Sequence, residues 1–443
     1  MKPKQIMLIA GEASGDLLGA ELVNALTREL TAAEVSYTTD SQPLHTGLEP
    51  RFFGAGGPRM AAAGVELAFD LTEHAIIGIP SPKSYLESRR RFHQLLKLAV
   101  ERQPDVIVGI DYNYFNLRFA EAIRQYTVGR SGWFHDWRPK LVKYISPQVW
   151  ASREGRASQI ARDYDLLLSI FPFEKDWYAR RVPKLHVEFV GHPMVERFLQ
   201  STAHSSQSTV PGGAPQILLL PGSREKELHR HLPVMLGAIK LIAEKLPSVR
   251  MKMVLPDESL LGPLVWNLAR ETSTRLRITD SPDIGMANHL AKKVLSDFEI
   301  QIGDLPKALA PSDLALASTG TVTMECAFFG VPTVTMYKTS WATYELGKRI
   351  VKVKSLTMPN LLADEEVFPE FIQNAATAEN IANAALDLLL NESRRKLMKA
   401  KLAEVISSLG GPGASRRAAQ AITRLLEPGM STNDRRKLLL AAH

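Results

Sequence analysis

Residues 5–30 read QIMLIAGEASGDLLGAELVNALTREL. Residues 5–10 form a short apolar run, Gly11 breaks it, and 17–30 carries apolar residues at helical spacing. Strand, glycine turn and helix together open a βαβ unit, in which a crossover helix returns the chain to a parallel strand. The pattern recurs: strands are predicted at 105–110, 141–145, 166–170 and 187–190, with helices at 83–102 and 116–126. Residues 201–215, STAHSSQSTVPGGAP, are rich in Ser, Gly and Pro and read as a linker. The pattern then restarts with a strand at 217–220, a turn at Pro221-Gly222-Ser223 and a helix through Leu246, stopped by Pro247. Further strands are predicted at 249–255, 314–317 and 333–336. The expected fold class is therefore α/β: two doubly wound, Rossmann-like domains at 1–200 and 216–385, facing a central cleft. Residues 386–443 read as helices, interrupted at 410–413, that pack back on the N-terminal domain or on a partner subunit. Stretches 37–51 and 127–139 fit neither period and are predicted as loop insertions.

The chain has 443 residues, enough for two or three domains, with 45% hydrophobic and 23% charged residues, ordinary for a globular protein. Disordered, collagenous and coiled-coil classes are excluded on that composition. No apolar run approaches the ~18–20 residues of a membrane span. Residues 1–10 have too short an apolar core for a signal peptide and no cleavage signature, so a cytoplasmic protein is expected. The one cysteine, Cys326, excludes an internal disulfide and a structural zinc cluster; beside Met324, Ala327 and Phe328 it reads as a small buried hydrophobe. The net charge of +7 favours anionic partners: nucleic acid, anionic lipid or phosphorylated substrates. The densest basic cluster, Arg89, Arg90 and Arg91, lies on the amphipathic stretch 83–102. It is either a solvated face or a contact to an anionic membrane surface.

In open α/β sheets ligands bind beyond the carboxyl ends of strands. The first such turn, Gly11-Glu12-Ala13-Ser14-Gly15-Asp16, is not G-x-G-x-x-G, and its two carboxylates would repel a pyrophosphate. Glu12, Ser14, Gly15 and Asp16 suit sugar hydroxyls on an acceptor, or form a bare turn. A second glycine turn is read at 54–59, after a strand. Gly222, Ser223 and Arg224 offer backbone N–H groups, a hydroxyl and a guanidinium, a phosphate-binding set. Ser318, Thr319, Gly320 and Thr321 let a backbone approach a pyrophosphate closely, and Glu325, one turn on, can hold ribose hydroxyls; ordinary helix capping is the alternative. A nucleotide-diphosphate donor is thus expected in the second half and an acceptor in the first. Asp111 directly follows strand 105–110, as a general base or a helix cap. His192 is structural or catalytic. Arg153 and Arg156, in SPQVWASREGR (146–156), either grip a phosphate or form surface ion pairs. No P-loop, H-E-x-x-H or paired His/Cys set is present, so neither a Walker-type NTPase nor a metal site is expected.

Several motifs occur together in one order: GEASGD at 11–16, GPRM at 57–60, SPQVWA at 146–151, PFEK at 172–175, Gly191-His192, LPGSR at 220–224 and PNLLA at 359–363. In this combination the chain resembles the lipid-A-disaccharide synthase family. The resemblance implies a GT-B fold and an inverting transfer from UDP-2,3-diacylglucosamine to 2,3-diacylglucosamine 1-phosphate (lipid X). The products would be the β-1,6-linked disaccharide 1-phosphate and UDP. It implies no cofactor, no metal and no nucleic acid; a peripheral place on the cytoplasmic side of the inner membrane of a Gram-negative cell; and leaves a homodimer open. The family's donor motifs fall on Gly222, Ser223, Arg224, Gly320, Thr321, Glu325 and Asn360, and its base on Asp111; Arg153 is placed on the acceptor side. Where the family reads GIDAPDFN, this chain reads GIDYNYFN at 109–116, so Tyr112-Asn113-Tyr114 replaces Ala-Pro-Asp. The rival readings are a UDP-N-acetylglucosamine 2-epimerase on the same scaffold, or a non-catalytic protein binding RNA or anionic lipid.

Overall fold

A computed structural model describes residues 3–33, 36–37, 43–44, 49–72, 82–130, 136–202, 214–274 and 282–427. The chain divides into two compact units: Met1–Pro193 with Gly410–His443, and Met194–Leu409.

The first unit is built on seven parallel strands. In chain order these are β1 (Gln5–Ala10), β4 (Arg51–Gly56), β5 (Glu66–Asp70), β6 (Val106–Ile110), β7 (Lys140–Tyr144), β8 (Leu166–Ser169) and β9 (His186–Phe189). A separate two-stranded ribbon, β2 (Ser36–Tyr37) and β3 (Pro43–Leu44), overlaps the first predicted insertion, starting one residue before it. The sheet order is β5-β4-β1-β6-β7-β8-β9, so the direction of winding reverses between β1 and β6. Both faces are covered. Ile6, Leu8 and Ala10 face Leu18, Leu22 and Leu26 of the helix Ala13–Ala33, while Met7 and Ile9 face Leu95, Ala99, Phe115 and Phe119. Successive strand residues point to opposite faces, and burial on both turns the strand into an unbroken apolar run. The helix Ala414–Leu426 returns to this unit and buries Ala418, Ala419 and Ile422 in the same core as Leu18 and Leu22.

The second unit repeats the plan with β10 (Gln216–Leu220), β11 (Arg250–Leu255), β12 (Phe298–Ile302), β13 (Leu314–Ser318), β14 (Thr333–Tyr337) and β15 (Glu370–Ile372). All neighbours are parallel, in the order β12-β11-β10-β13-β14-β15, and the winding reverses between β10 and β13. Leu228, Leu232 and Met235 of the helix Glu225–Lys245 share one core with Ile381, Ala385 and Leu388 of Ala378–Leu390. Cys326 is fully buried in that core, where desolvation pushes its thiol up to about 12.

Three details differ from the sequence reading. Gly54 and Gly56 lie inside β4, so the second turn begins at Gly57. The helix Asn113–Gly129 runs into the second predicted insertion, of which 131–135 lies outside the described residues. Strands β5, β12 and β15 were not predicted, and residues 203–213 of the expected linker and 428–443 of the expected terminal helices also lie outside the described residues.

Candidate functional site

Each reversal of winding opens a crevice at the carboxyl ends of two neighbouring strands. In the first unit Ala10 pairs with Ile110, so the turn from Gly11 and the turn from Asp111 leave the sheet side by side. In the second, Leu220 pairs with Ala317, so the turns at 221–224 and 318–321 do the same. Four of the turns singled out in the sequence, after β1, β6, β10 and β13, therefore lie at the two switch points.

The Asp111 turn is held in an unusual backbone state. Asp111 and Tyr112 have φ of 42° and 40°, left-handed values that cost a non-glycine residue of order 1–3 kcal/mol each. Three groups fix it. The Asp111 N–H donates to the Tyr144 carbonyl at 3.0 Å. Asn116, 2% exposed, donates through Nδ2 to the carbonyls of Asp111 at 2.9 Å and Ile110 at 3.2 Å. The Nζ of Lys143 donates to the Asp111 carbonyl from a fully buried position on β7. Burial pulls this ammonium down to about 8, and the Asp111 charge acts against that shift. The Asp111 carboxylate is half-buried and accepts from Asn113 Nδ2 at 3.4 Å. The Tyr112 ring lies on Gly11: a Cβ there would come within 2.4 Å of the ring, so the first turn needs glycine.

The remaining acceptor-side residues separate. Glu12 and Ser14 are exposed, and Gly15 is buried against Ala10. Asp16 is 2% exposed, and its carboxylate accepts the N–H groups of Gly57 at 2.8 Å, Arg59 at 3.0 Å and Met60 at 3.0 Å. It caps the helix Pro58–Ala62 and joins the two glycine turns, so its geometry is that of a positioning residue and not of a sugar contact. Arg153 is exposed on the loop after β7. Trp150, in the short helix Val149–Ser152 just before Arg153, donates through Nε1 to Glu174 at 3.0 Å. Glu174 is fully buried, and desolvation pushes its carboxyl up to about 7 against the pull of that bond and others from Ser146 and the backbone. The His192 ring packs on Phe171, 5.6 Å between centroids.

In the second unit Gly222 adopts φ 127°, and the turn already holds a carboxylate. Glu227 accepts from the Ser223 N–H at 3.1 Å and from Arg224 Nη1 at 3.4 Å, which shows the turn's donors converging on one anion. Fully buried His231 braces the turn: Nδ1–H donates to the Pro221 carbonyl at 2.7 Å and Nε2 accepts from the Lys338 N–H at 3.0 Å. Desolvation lowers its pKa, consistent with that neutral tautomer. Across the crevice Ser318 is buried, Thr319 half-buried, and Gly320 and Thr321 exposed. Gly320 has φ 149° and open space where a Cβ would stand. Glu325 is half-buried with no hydrogen-bond partner among the described residues, and desolvation pushes it up to about 7. Asn360 is 2% exposed with both ends of its amide engaged: Nδ2 donates to the Phe368 carbonyl at 2.8 Å and to Glu370 at 3.0 Å, and Oδ1 accepts from Val367 and Phe368. It fixes the helix Met358–Ala363 to the segment before β15. Among the described residues no group of three or more His, Cys, Asp or Glu could hold a metal ion.

A family model described as lipid-A-disaccharide synthetase matches residues 6–265 and 283–425. The chain belongs to the lipid-A-disaccharide synthase family. Lipid-A-disaccharide synthases of Trichlorobacter lovleyi and Geobacter metallireducens are 35% and 34% identical to it, over 96% of this chain and 98% and 97% of theirs. Among solved structures, Staphylococcus aureus MnaA with UDP superposes with a TM-score of 0.58 at 13% identity, covering 96% of this chain and 97% of that one. Acinetobacter baumannii MurG superposes with 0.50 at 14% identity, covering 95% and 100%. The fold is GT-B, and the chain is a glycosyltransferase of lipid A biosynthesis. Lys143, His231 and Glu370 were not singled out from the sequence, and Glu174 and Asn116 appeared there only inside the PFEK and GIDYNYFN motifs, with no role assigned. Lys143 carried a signal of its own, as a cation inside a predicted buried strand.

Proposed function

We propose that the protein transfers 2,3-diacylglucosamine from UDP-2,3-diacylglucosamine to the 6-hydroxyl of 2,3-diacylglucosamine 1-phosphate, with Asp111 as general base. The observation that carries the assignment is the Asp111 turn, a carboxylate at a switch point whose strained backbone is locked by Lys143 and Asn116. Asp111 takes the hydroxyl proton as the oxygen attacks the anomeric carbon; the bond from that carbon to the UDP oxygen breaks, and the linkage inverts to β. Glu12 and Ser14, exposed beside Gly11, serve the acceptor's hydroxyls. On the donor side, the Ser223 N–H and Arg224 take the negative charge that grows on the leaving diphosphate, with Glu227 giving way to it. The open backbone at Gly320 lets the diphosphate approach, and half-buried Glu325 receives the ribose hydroxyls. Asp16 and His231 brace the turns at 57–60 and 221, and Asn360 fixes the helix Met358–Ala363 to the segment before β15.

Both substrates carry fatty acyl chains, each buried CH₂ of which adds about 0.8 kcal/mol to membrane retention, so the enzyme works at a membrane surface, on the cytoplasmic side. Exposed Arg89 and Arg90, with Leu86 63% exposed beside them, support that docking. Arg91 does not belong to it: its guanidinium pairs with Glu87 at 2.9 Å and reaches the Asp70 carbonyl. Asp111→Asn should lower turnover by about 10²-fold or more with UDP affinity nearly unchanged. Wild-type turnover in that variant would remove Asp111 from the mechanism. Conversion of UDP-N-acetylglucosamine without any acceptor would replace the transferase reading by an epimerase.

A further inference from the structure

Several arginines around the ends of β6, β7 and β8 are held in ion pairs. Arg124 pairs with Asp165 at 2.5 Å, Arg162 with Asp163 and Glu121 at 2.7 and 2.8 Å, and Arg181 with Glu154 at 3.3 Å. Arg118, Arg153 and Arg156 have no ion-pair partner among the described residues. All three stand at the carboxyl side of the adjacent strands β6 and β7, where Asp111 also lies. Tyr114 and Arg118 are one turn apart on the helix that starts directly after Asp111 and Tyr112. Arg153 and Arg156 share one turn after β7, the Arg156 N–H donating to the Arg153 carbonyl at 3.0 Å.

Tyr114 is 66% exposed. Its Oη accepts from Arg118 Nη1 at 3.1 Å, and that guanidinium lies 5.6 Å over the ring. With the oxygen already accepting, the phenolic proton is free to be donated outward. Arg156 is partly desolvated; burial, then the charge of Arg153, lowers its pKa, and Tyr114 acts in the opposite sense. Arg153 and Arg156 repel each other and, with Arg118, are answered by no ion pair among the described residues: Glu154 is held by Arg181 and the Asp111 carboxylate accepts from Asn113, so the cluster favours an added anion. Glu227 shows the contrast, filling the donor-side turn with a carboxylate of the chain itself.

We infer that Tyr114, Arg118, Arg153 and Arg156 bind the phosphomonoester of the acceptor sugar. A phosphomonoester carries about −1.5 to −2 charge at neutral pH, and its oxygens match the planar fork of a guanidinium. A neutral sugar hydroxyl would leave most of that charge unanswered. Tyr114 occupies the position where the family pattern has Asp. A carboxylate there would pair with Arg118 and subtract a charge; the phenol supplies a donor instead. The inference rests on the transferase reading for its ligand, and on the unpaired arginines for its place.

The test compares two acceptors, 2,3-diacylglucosamine with and without its 1-phosphate, in the full-length protein. The wild type should prefer the phosphorylated acceptor by about tenfold or more in kcat/KM, the size expected of charge-assisted hydrogen bonds. In Arg153→Ala/Arg156→Ala that preference should fall towards one, through KM for the phosphorylated acceptor, with KM for the UDP-sugar within about twofold. Arg153→Lys/Arg156→Lys, which keeps the charge and loses the fork, should fall between. Tyr114→Asp should reduce the preference, and Tyr114→Phe should reduce it less. An unchanged preference in the alanine double variant overturns the inference.

If the wild type transfers to neither acceptor, the transferase reading fails, and glucosamine 1-phosphate binding by calorimetry decides the site alone. Affinity lower by about tenfold or more in the double variant upholds a phosphomonoester site, and equal affinity overturns it. Phosphatidylglycerol vesicles separate the sugar phosphate from a lipid headgroup. Vesicle binding lost in the double variant with acceptor preference intact would assign the cluster to the membrane and overturn the inference.

Discussion

Glu174 gives the most direct physical test of the first unit. Its carboxyl is fully buried, accepts from Trp150 Nε1 at 3.0 Å and is pushed from an ordinary 4.5 up to about 7 by desolvation. Below pH 4.5 the folded and unfolded chains both hold the proton. Between there and about 7 only the folded chain holds it, so stability falls as pH rises through this window. A shift of that size is worth about 3 kcal/mol when complete, most of it between pH 5 and 8. Glu174→Gln removes the ionisation and keeps the shape. The amide carries its own penalty, because its NH₂ meets the Phe171 N–H where a carboxylate oxygen had accepted, but that penalty does not depend on pH. The assay is urea unfolding of both proteins at pH 5 and pH 8, followed by the fluorescence of Trp137, Trp150 and Trp177 in this unit. Comparison at equal pH cancels every other titration, including that of Glu325. The variant should gain about 2–3 kcal/mol on the wild type between the two pH values. A gain under about 0.5 kcal/mol, or one of opposite sign, would refute the claim that Glu174 is folded into a dry site as the neutral acid.

The other predictions concern activity. Lys143→Met should lower kcat by about tenfold or more while KM for the UDP-sugar stays put, because it frees the Asp111 turn without touching the donor unit; a change confined to KM would contradict this. Transfer should proceed at full rate in EDTA, since N–H groups and Arg224 are assigned the diphosphate charge. Activity restored only by Mg²⁺ or Mn²⁺ would show that assignment to be wrong. Arg89→Ser/Arg90→Ser should weaken co-sedimentation with anionic vesicles, by about 1 kcal/mol per arginine at low salt, and leave UDP binding unchanged. Equal binding by both proteins would make these arginines surface charge only.

The parts of the fold legible in the sequence are those buried on both sides. β1, β6, β10 and β13 are central strands whose residues are almost wholly buried, so they stand out as unbroken apolar runs. β5, β12 and β15 lie at sheet edges and are partly exposed, so Glu66–Asp70 and Phe298–Ile302 mix charge with apolar residues and escape notice. The turns beyond the central strands were legible for a related reason: glycine and hydroxyl residues directly after an apolar run have few other uses. What spacing does not show is which polar group is already engaged. Asp16 and Asn360 match the motifs as well as Asp111 and Glu325 do. Their partners are backbone N–H groups 41 to 44 residues away for Asp16, and 7 and 8 residues away for the Asn360 oxygen. No local pattern announces such bonds.

The departure at 112–114 illustrates the same limit. As sequence, Tyr112-Asn113-Tyr114 loses a carboxylate and gains two aromatic rings. In the fold the two tyrosines do different work. Tyr112, stacked on Phe115 at 5.4 Å and lying over Gly11, turns inward and supports the left-handed turn at Asp111. Burial, then the charge of Glu12, raises its pKa, so it stays a neutral packing group. Tyr114 turns outward to Arg118 and leaves the neighbouring arginines unneutralised. A proline at 113 could not coexist with this backbone, because the residue before proline is driven to extended conformations while Tyr112 is at φ 40° and ψ 56°. The loss of proline and the left-handed Tyr112 therefore belong together, and the inward ring helps offset the cost of that conformation. On this account Tyr112→Ala should cost activity through kcat, by loosening the base, whereas Tyr114→Phe should act through KM for the phosphorylated acceptor. Steady-state kinetics on the two variants separates the roles. Matching effects on one parameter would mean that the segment acts as a unit and that the division drawn between the two rings is wrong.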